Sequence, residues 1–258
     1  MAVVEIESRG ATRVLWLNRP ERRNALSGDL IVGLAEALAA AGADPEVRCV
    51  VLTGRDRFFC AGGDLAGGMM PEGGVLEAEA ARGRFAELLR AIYGLPVPVI
   101  AAVNGDALGG GCGLVAACDL AVADPAASLG TPEVRVGLFP LVISAVLQRG
   151  VHRKALLEMM YTGDRISAAE AERIGLVNRV SPAGGCLEAA LELAERITRN
   201  SRAVVGLGKR SFHDAIDMEL AGALAMLNSR LTLNLLSEDA GIGIAAFLGR
   251  TTPEWRHR

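Results

Sequence analysis

Apolar and polar residues alternate along 3–8 (VVEIES) and 12–17 (TRVLWL), on either side of Arg9-Gly10, which predicts two strands joined by a hairpin turn. The period then lengthens. Ser27, a good helix N-cap, precedes a stripe of Leu30, Leu34, Ala37, Leu38 and Ala41, which predicts a helix over 28–41 ended by Gly42 and Pro45. Residues 47–54 (VRCVVLTG) are largely apolar, as expected of a strand covered on both faces. The alternation repeats downstream: a glycine- and methionine-rich loop at 66–74, a helix to residue 93, an apolar strand over 97–103, the glycine cluster GGGCG, a helix to 117 and a short strand over 119–124. From Cys186 onward the strand signals fade, and 188–199, 203–216, 219–236 and 240–248 all carry helical periodicity. Strands alternating with helices predict an α/β fold, here with a helical C-terminal part.

Composition narrows the partners. With 258 residues the chain can form one large domain or a domain with an appendage. Hydrophobic residues make up 51%, charged residues 22%, and the net charge is -3, which gives no electrostatic case for nucleic acid or an anionic membrane as partner. The N-terminus carries acids where a secretory signal needs a basic start, and no uncharged apolar run reaches the ~20 residues of a membrane span, so a cytoplasmic protein is expected. Cys49, Cys60, Cys112, Cys118 and Cys186 have no C-x-x-C spacing and read as buried free thiols, not as a disulfide framework or a zinc site. His152, His213 and His257 are too few and too scattered for a histidine metal site or a Ser/His triad, so no metal is expected.

The glycines of GGGCGLVAACD (109–119) follow a strand and open a helix. Each costs about 0.5–1 kcal/mol against alanine inside a regular element, so their density needs a reason. GCGLVA fits the dinucleotide fingerprint G-x-G-x-x-A, but that motif directly follows the first strand of a domain, and here NGDAL intervenes after three earlier strands. Close packing of a helix on a sheet is a second reading. A third is a ligand oxygen placed against a bare helix N-terminus, where free N–H groups and the helix dipole favour negative charge. A second glycine loop, FFCAGGDL (58–65), follows the strand ending at Thr53, and two such loops can each offer one N–H to the same oxygen, as an oxyanion hole does.

Four segments occur in a telling order. LNRPERRNAL (17–26), FCAGGDL (59–65), AAVNGDALGGGCGLVAACDLAVAD (101–124) and LGTPEVRVGLFP (129–140) resemble the enoyl-CoA hydratase/isomerase family, the crotonases. The likeness continues through YTGDRISAAEAERIGLVNRV (161–180) to AFLGRTTPEW (246–255). This resemblance implies a crotonase-like ββα-superhelix core over 1–195 and a helical C-terminal subdomain over 196–258 that serves assembly and covers the CoA pocket. It further implies an acyl-CoA substrate, no separate cofactor because coenzyme A arrives with the substrate, and a homotrimer or dimer of trimers.

Carried onto this chain, the family pattern assigns the thioester oxygen to the backbone N–H groups of Gly63 and Gly110 and the acid/base role to Glu133. By the same analogy Ala61, Gly63, Asp64, Leu65, Ala66, Gly109 and Gly110 border the thioester and pantetheine, and Arg22, Asn24, Ala25 and Leu26 lie near the nucleotide end. Asp64 itself reads as structuring its loop.

The chain departs from the family at Gly113, where hydratases with two catalytic carboxylates carry glutamate directly after the GGGC segment. Adding water calls for one group to activate it and another to protonate or position it. Moving a double bond from the 3- to the 2-position needs one carboxylate. The expected activity is isomerisation or hydration of enoyl-CoA esters, the alternative being a non-catalytic acyl-CoA-binding or scaffold homologue. Asp106, Glu72, Glu77 and Glu79 are the acids available as substitutes, and Gly113→Glu is expected to raise hydration. Val142, Ile143 and Ser144 stand where relatives commonly have further glycines, which leaves the shape of the pocket open.

Overall fold

The computed structural model describes residues 2–64 and 75–258. Its strands are β1 (Val4–Arg9), β2 (Thr12–Leu17), β3 (Cys49–Gly54), β4 (Phe58–Cys60), β5 (Val99–Val103), β6 (Asp106–Leu108), β7 (Leu120–Ala123), β8 (Ser128–Gly130), β9 (Arg165–Ser167) and β10 (Arg179–Val180). Its helices are α1 (Gly28–Ala43), α2 (Val75–Gly94), α3 (Gly110–Ala117), α4 (Leu141–Leu147), α5 (Arg153–Thr162), α6 (Ala168–Arg173), α7 (Cys186–Thr198), α8 (Arg202–Ala215), α9 (Leu220–Leu235) and α10 (Glu238–Gly249).

The hairpin forms as the alternation requires, with Val4 opposite Leu17, Arg9 opposite Thr12, and Gly10 turning the chain at φ 58°. From β2 onward the strands run parallel in a six-stranded sheet of order β1-β2-β3-β5-β7-β10. Every residue of β3 and β5 is buried because helices cover both faces. On one face Val50 and Leu52 join Leu30, Leu34 and Leu38 of α1 with Leu88 and Ile92 of α2. On the other, Cys49 and Val51 meet Cys186, Ala190 and Ala194 of α7.

A second, smaller sheet positions the site. After β3, β5 and β7 the chain adds a short strand to a four-stranded sheet of order β4-β6-β8-β9, in which β4, β6 and β8 are parallel. The segments β3-β4-α2, β5-β6-α3 and β7-β8 with the 3-10 turn after it are therefore successive turns of one spiral. NGDAL, which separates the strand from the glycines in sequence, contains β6 and is what carries the chain from one sheet to the other.

Helices α8, α9 and α10 make up the C-terminal part. Lys209 of α8 anchors it: its buried ammonium donates to the carbonyl oxygens of Ile92 at 2.9 Å and Val97 at 3.1 Å and to Asp119 Oδ2 at 2.7 Å. One turn on, His213 Nε2 lies 3.2 Å from Asp119 Oδ1. Helix α9 buries none of its side chains, leaving Leu220, Leu231 and Leu235 exposed.

Candidate active site

Three segments leave the small sheet in the same direction: Gly62-Gly63-Asp64 after β4, Gly109-Gly110 after β6 and Thr131-Pro132-Glu133 after β8. The parallel register brings them to one edge. The first two touch, since a Cβ added at Gly62 would lie 2.8 Å from the Leu108 carbonyl oxygen and 3.5 Å from the Gly110 nitrogen. Gly110 opens α3, where the first N–H groups have no acceptor inside the helix. The bridge between Leu26 and Gly63 is made by the Gly62 carbonyl oxygen, 2.8 Å from the Leu26 nitrogen, and the Asp64 N–H, 3.1 Å from the Leu26 oxygen, and so does not use the Gly63 N–H. Gly63 and Gly110 are half-buried, whereas Gly62, Gly109 and Gly111 are buried.

The glycine cluster serves more than one purpose. At Gly111 the reason is packing: an added Cβ would meet the Cys60 carbonyl oxygen at 2.3 Å, backbone that cannot move aside. Gly109 adopts φ 52° and ψ -121°, a region that disfavours residues with a Cβ. At Gly110 an added Cβ would meet only side-chain ends, Leu26 Cδ1 at 2.7 Å and Phe85 Cζ at 3.4 Å.

Glu133 sits in a 3-10 turn, Pro132–Val136, that starts at buried Thr131 and ends at Gly137 with φ 75°. The Thr131 hydroxyl donates to the Met159 carbonyl oxygen at 3.2 Å and holds the turn against α5. The carboxylate lies over Gly109, where an added Cβ would stand 2.9 Å from Oε1, while Oε2 is buried with no hydrogen-bond partner among the described residues. Burial raises the Glu133 pKa above the ordinary carboxylate value, and its own backbone N–H offsets this only in part. Beside it the Cys112 thiol is pushed up to about 12, by burial first and then by the Glu133 charge. The acids considered as substitutes are engaged or exposed: Asp106 pairs with Arg165 at 3.1 Å and Glu77 and Glu79 are exposed on α2. Glu72 lies outside the described residues.

Gly113 stands one helical turn after Gly109, its N–H donating to the Gly109 carbonyl oxygen at 3.0 Å, so the two positions share a face of α3. Glu133 covers the first and Ile143 of α4 covers the second. A Cβ at position 113 would lie 2.3 Å from Ile143 Cγ2 and 2.8 Å from Ile143 Cβ. This corrects the expectation for Gly113→Glu: the added side chain would collide with Ile143, so that substitution alone does not supply a second carboxylate.

The 17–26 segment is organised from within. Asn24 is fully buried, accepts the Arg19 N–H at 2.9 Å and donates to the carbonyl oxygens of Phe58 at 2.8 Å and Arg55 at 3.1 Å. Its amide is thus committed to holding the loop, which confines any ligand contact to its neighbours. Arg19, which the sequence reading did not single out, donates to the Ala25 carbonyl oxygen at 2.7 Å and pairs with Asp64 at 3.0 Å, joining this segment to the first glycine loop. Asp64 structures its loop through that pair. Ala25 and Leu26 are buried, Arg22 is exposed, Ala61 donates its N–H to the Arg23 carbonyl oxygen at 3.0 Å, and Leu65 and Ala66 lie outside the described residues. Among the described residues no three His, Cys, Asp or Glu side chains are grouped to hold a metal ion, and no single helix is long and apolar enough to cross a membrane.

A spiral of ββα turns whose loops meet at one edge is the crotonase fold. The chain belongs to the enoyl-CoA hydratase/isomerase family, which it matches over residues 7–258. A crystal structure of an enoyl-CoA hydratase from Mycobacterium smegmatis is 36% identical, with a TM-score of 0.95 over 99% of each chain. The crystal structure of human enoyl-CoA hydratase domain-containing protein 3 is 33% identical, with a TM-score of 0.93 over 98% of this chain and 100% of that one. The 2,3-dehydroadipyl-CoA hydratase of Escherichia coli K12 is 36% identical over 246 residues, 95% of each chain.

Proposed function

We propose that this protein isomerises 3-enoyl-CoA esters to 2-enoyl-CoA esters, with Glu133 as the one acid/base group and the N–H groups of Gly63 and Gly110 as an oxyanion hole. The observation that carries this reading is that, among the described residues, one carboxylate, unpartnered at Oε2, stands beside the two glycine loops, with glycine at 113 where a second acid is missing. The thioester oxygen accepts both backbone N–H groups. Glu133 takes a proton from C2, the electron pair moves onto the thioester oxygen as a dienolate, and the same carboxyl returns the proton at C4. Atoms balance without water. Backbone donors need no reorganisation as the negative charge forms, and a carboxyl with a raised pKa is the stronger base for taking the proton from C2. The hydratase names of its relatives support an acyl-CoA thioester as the substrate class. Arg22 is exposed, which supports a contact with the nucleotide phosphates of coenzyme A.

The apolar helices at the C-terminus belong to the same reading. Leu231, Leu235, Ile244 and Phe247 are exposed on α9 and α10, which supports burial against further copies of the chain in a homotrimer or dimer of trimers. Light scattering gives the mass directly, and a monomer at micromolar concentration overturns the assembly.

The activity is tested by incubating the purified protein with 3-enoyl and 2-enoyl CoA esters of several lengths in deuterated water. Conversion of the 3-enoyl to the 2-enoyl ester is expected, with the C2 hydrogen carried to C4 and little deuterium taken up there from the solvent. Tight calorimetric binding of a saturated acyl-CoA without turnover of either ester overturns the catalytic reading and leaves an acyl-CoA-binding protein.

A further inference from the structure

Helix α4 is short and carries no ionisable residue along LVISAVL. Its three buried side chains are Ile143, Val146 and Leu147, and the hydroxyl of its Ser144 is spent on the Leu141 carbonyl oxygen at 2.7 Å. The element packed on the Gly113 end of the site therefore offers it methyl groups and no proton donor or acceptor. Ile143 is 3% exposed and fills the direction in which a side chain at 113 would point. Gly113 and Ile143 fit as a matched pair, one vacating the volume that the other takes.

We propose that Ile143 is a specificity-determining residue, which by filling the face of α3 next to Glu133 keeps a nucleophilic water and a second proton-transferring group out and so directs the bound enoyl thioester towards isomerisation. The inference rests on the isomerase reading above. Hydration forms a C3–O bond from water and a C2–H bond from a proton donor, and a water held for that attack needs polar partners besides the base. Gly109, Gly113 and Ile143 present no side-chain polar group, and the Cys112 thiol is a weak donor. With that face closed, the group left among the described residues to finish the reaction is the carboxyl that began it. The proton it took from C2 goes to C4.

The experiment compares the ratio of hydration to isomerisation in the wild type, Ile143→Ala, Ile143→Val and the double variant Gly113→Glu/Ile143→Gly, each checked by a cooperative thermal melt. Ile143→Ala is expected to raise the ratio about tenfold. The double variant is expected to gain about 10²-fold in hydration of the 2-enoyl ester, the low end of what one positioned acid/base group supplies. A purely structural role for Ile143 would lower both rates together and leave the ratio fixed. An unchanged ratio in folded Ile143→Ala, with no gain in the folded double variant, overturns the proposal. If Ile143→Ala fails to fold, Ile143→Val takes its place and is expected to shift the ratio in the same direction. A wild type inert towards both esters defeats the isomerase reading, while a gain of hydration by the double variant then still supports Ile143 as the excluding residue and no gain overturns it.

Discussion

Replacing Glu133 by glutamine keeps the shape of the side chain and removes its basicity, which sets activity and stability moving in opposite directions. A positioned acid/base group contributes 10²–10⁴-fold, and with no substitute acid at this edge among the described residues the loss in kcat/KM for 3-enoyl ester is expected near the upper end, about 10⁴-fold or roughly 5 kcal/mol of barrier. Stability responds to the other half of the geometry. Glu133 Oε2 is buried without a partner among the described residues, and burial raises the pKa above that of the unfolded chain. A carboxyl with a raised folded pKa opposes folding once the pH exceeds the unfolded pKa, and the penalty is complete above the folded one. Wild type therefore carries this cost at neutral pH and glutamine does not. A buried unpartnered polar group costs about 1–3 kcal/mol and a charged one more, so relief of about 1 kcal/mol is expected. In a chain of this size that raises Tm by about 2–4 °C. Thermal melts at neutral pH and near pH 4, about the ordinary glutamate value, are expected to show the gain shrinking as wild-type Glu133 becomes protonated. Steady-state kinetics supplies the other arm, in which wild-type kcat/KM rises with pH through the raised pKa because the ionised form is the base. A glutamine variant within tenfold of wild-type activity, or one less stable than wild type at neutral pH, refutes this reasoning.

Other parts of the molecule are tested more simply. Lys209→Met leaves Asp119 without its ammonium partner at 2.7 Å, and a loss of about 3–5 kcal/mol is expected in urea unfolding; a loss below 1 kcal/mol would mean the C-terminal part is held elsewhere. Gly111→Ala drives a Cβ to within 2.3 Å of the Cys60 carbonyl oxygen and is expected to destabilise by about 1–3 kcal/mol, measured the same way. Burial pushes the thiols of Cys49, Cys60 and Cys112 up to about 12, so native protein is expected to resist iodoacetamide at about pH 8 and to react at those positions once unfolded. Mass-spectrometric peptide mapping reads the outcome, and rapid native alkylation of Cys112 would contradict its burial beside Glu133.

Much of the scaffold is legible along the chain. The β1-β2 hairpin, α1, α7 and α8 repeat their period over enough residues for a buried face to show, α9 and α10 carry helical periodicity with little of it buried, β3 shows as an apolar run, and Gly62 and Gly111 mark where backbones must approach. The short strands β4, β6 and β8 carry no such signal, because three residues cannot show an alternation and the strands exist through their pairing with one another. Yet that small sheet is what sets the two glycine loops and Glu133 at one edge. The tie between Arg19 and Asp64, with a separation of 45 residues, is likewise made by the fold.

Position 113 shows the division most clearly. The sequence by itself determined the family, the pair of glycine loops and the absence of a carboxylate after GGGC, since each is a property of residue types in a local order. Tertiary structure alone decided what occupies the space: Ile143, delivered by a different helix, so that a missing side chain became an apolar wall. Close-packed interiors leave few voids, and which neighbour fills one depends on how elements meet in space, which local sequence order does not encode.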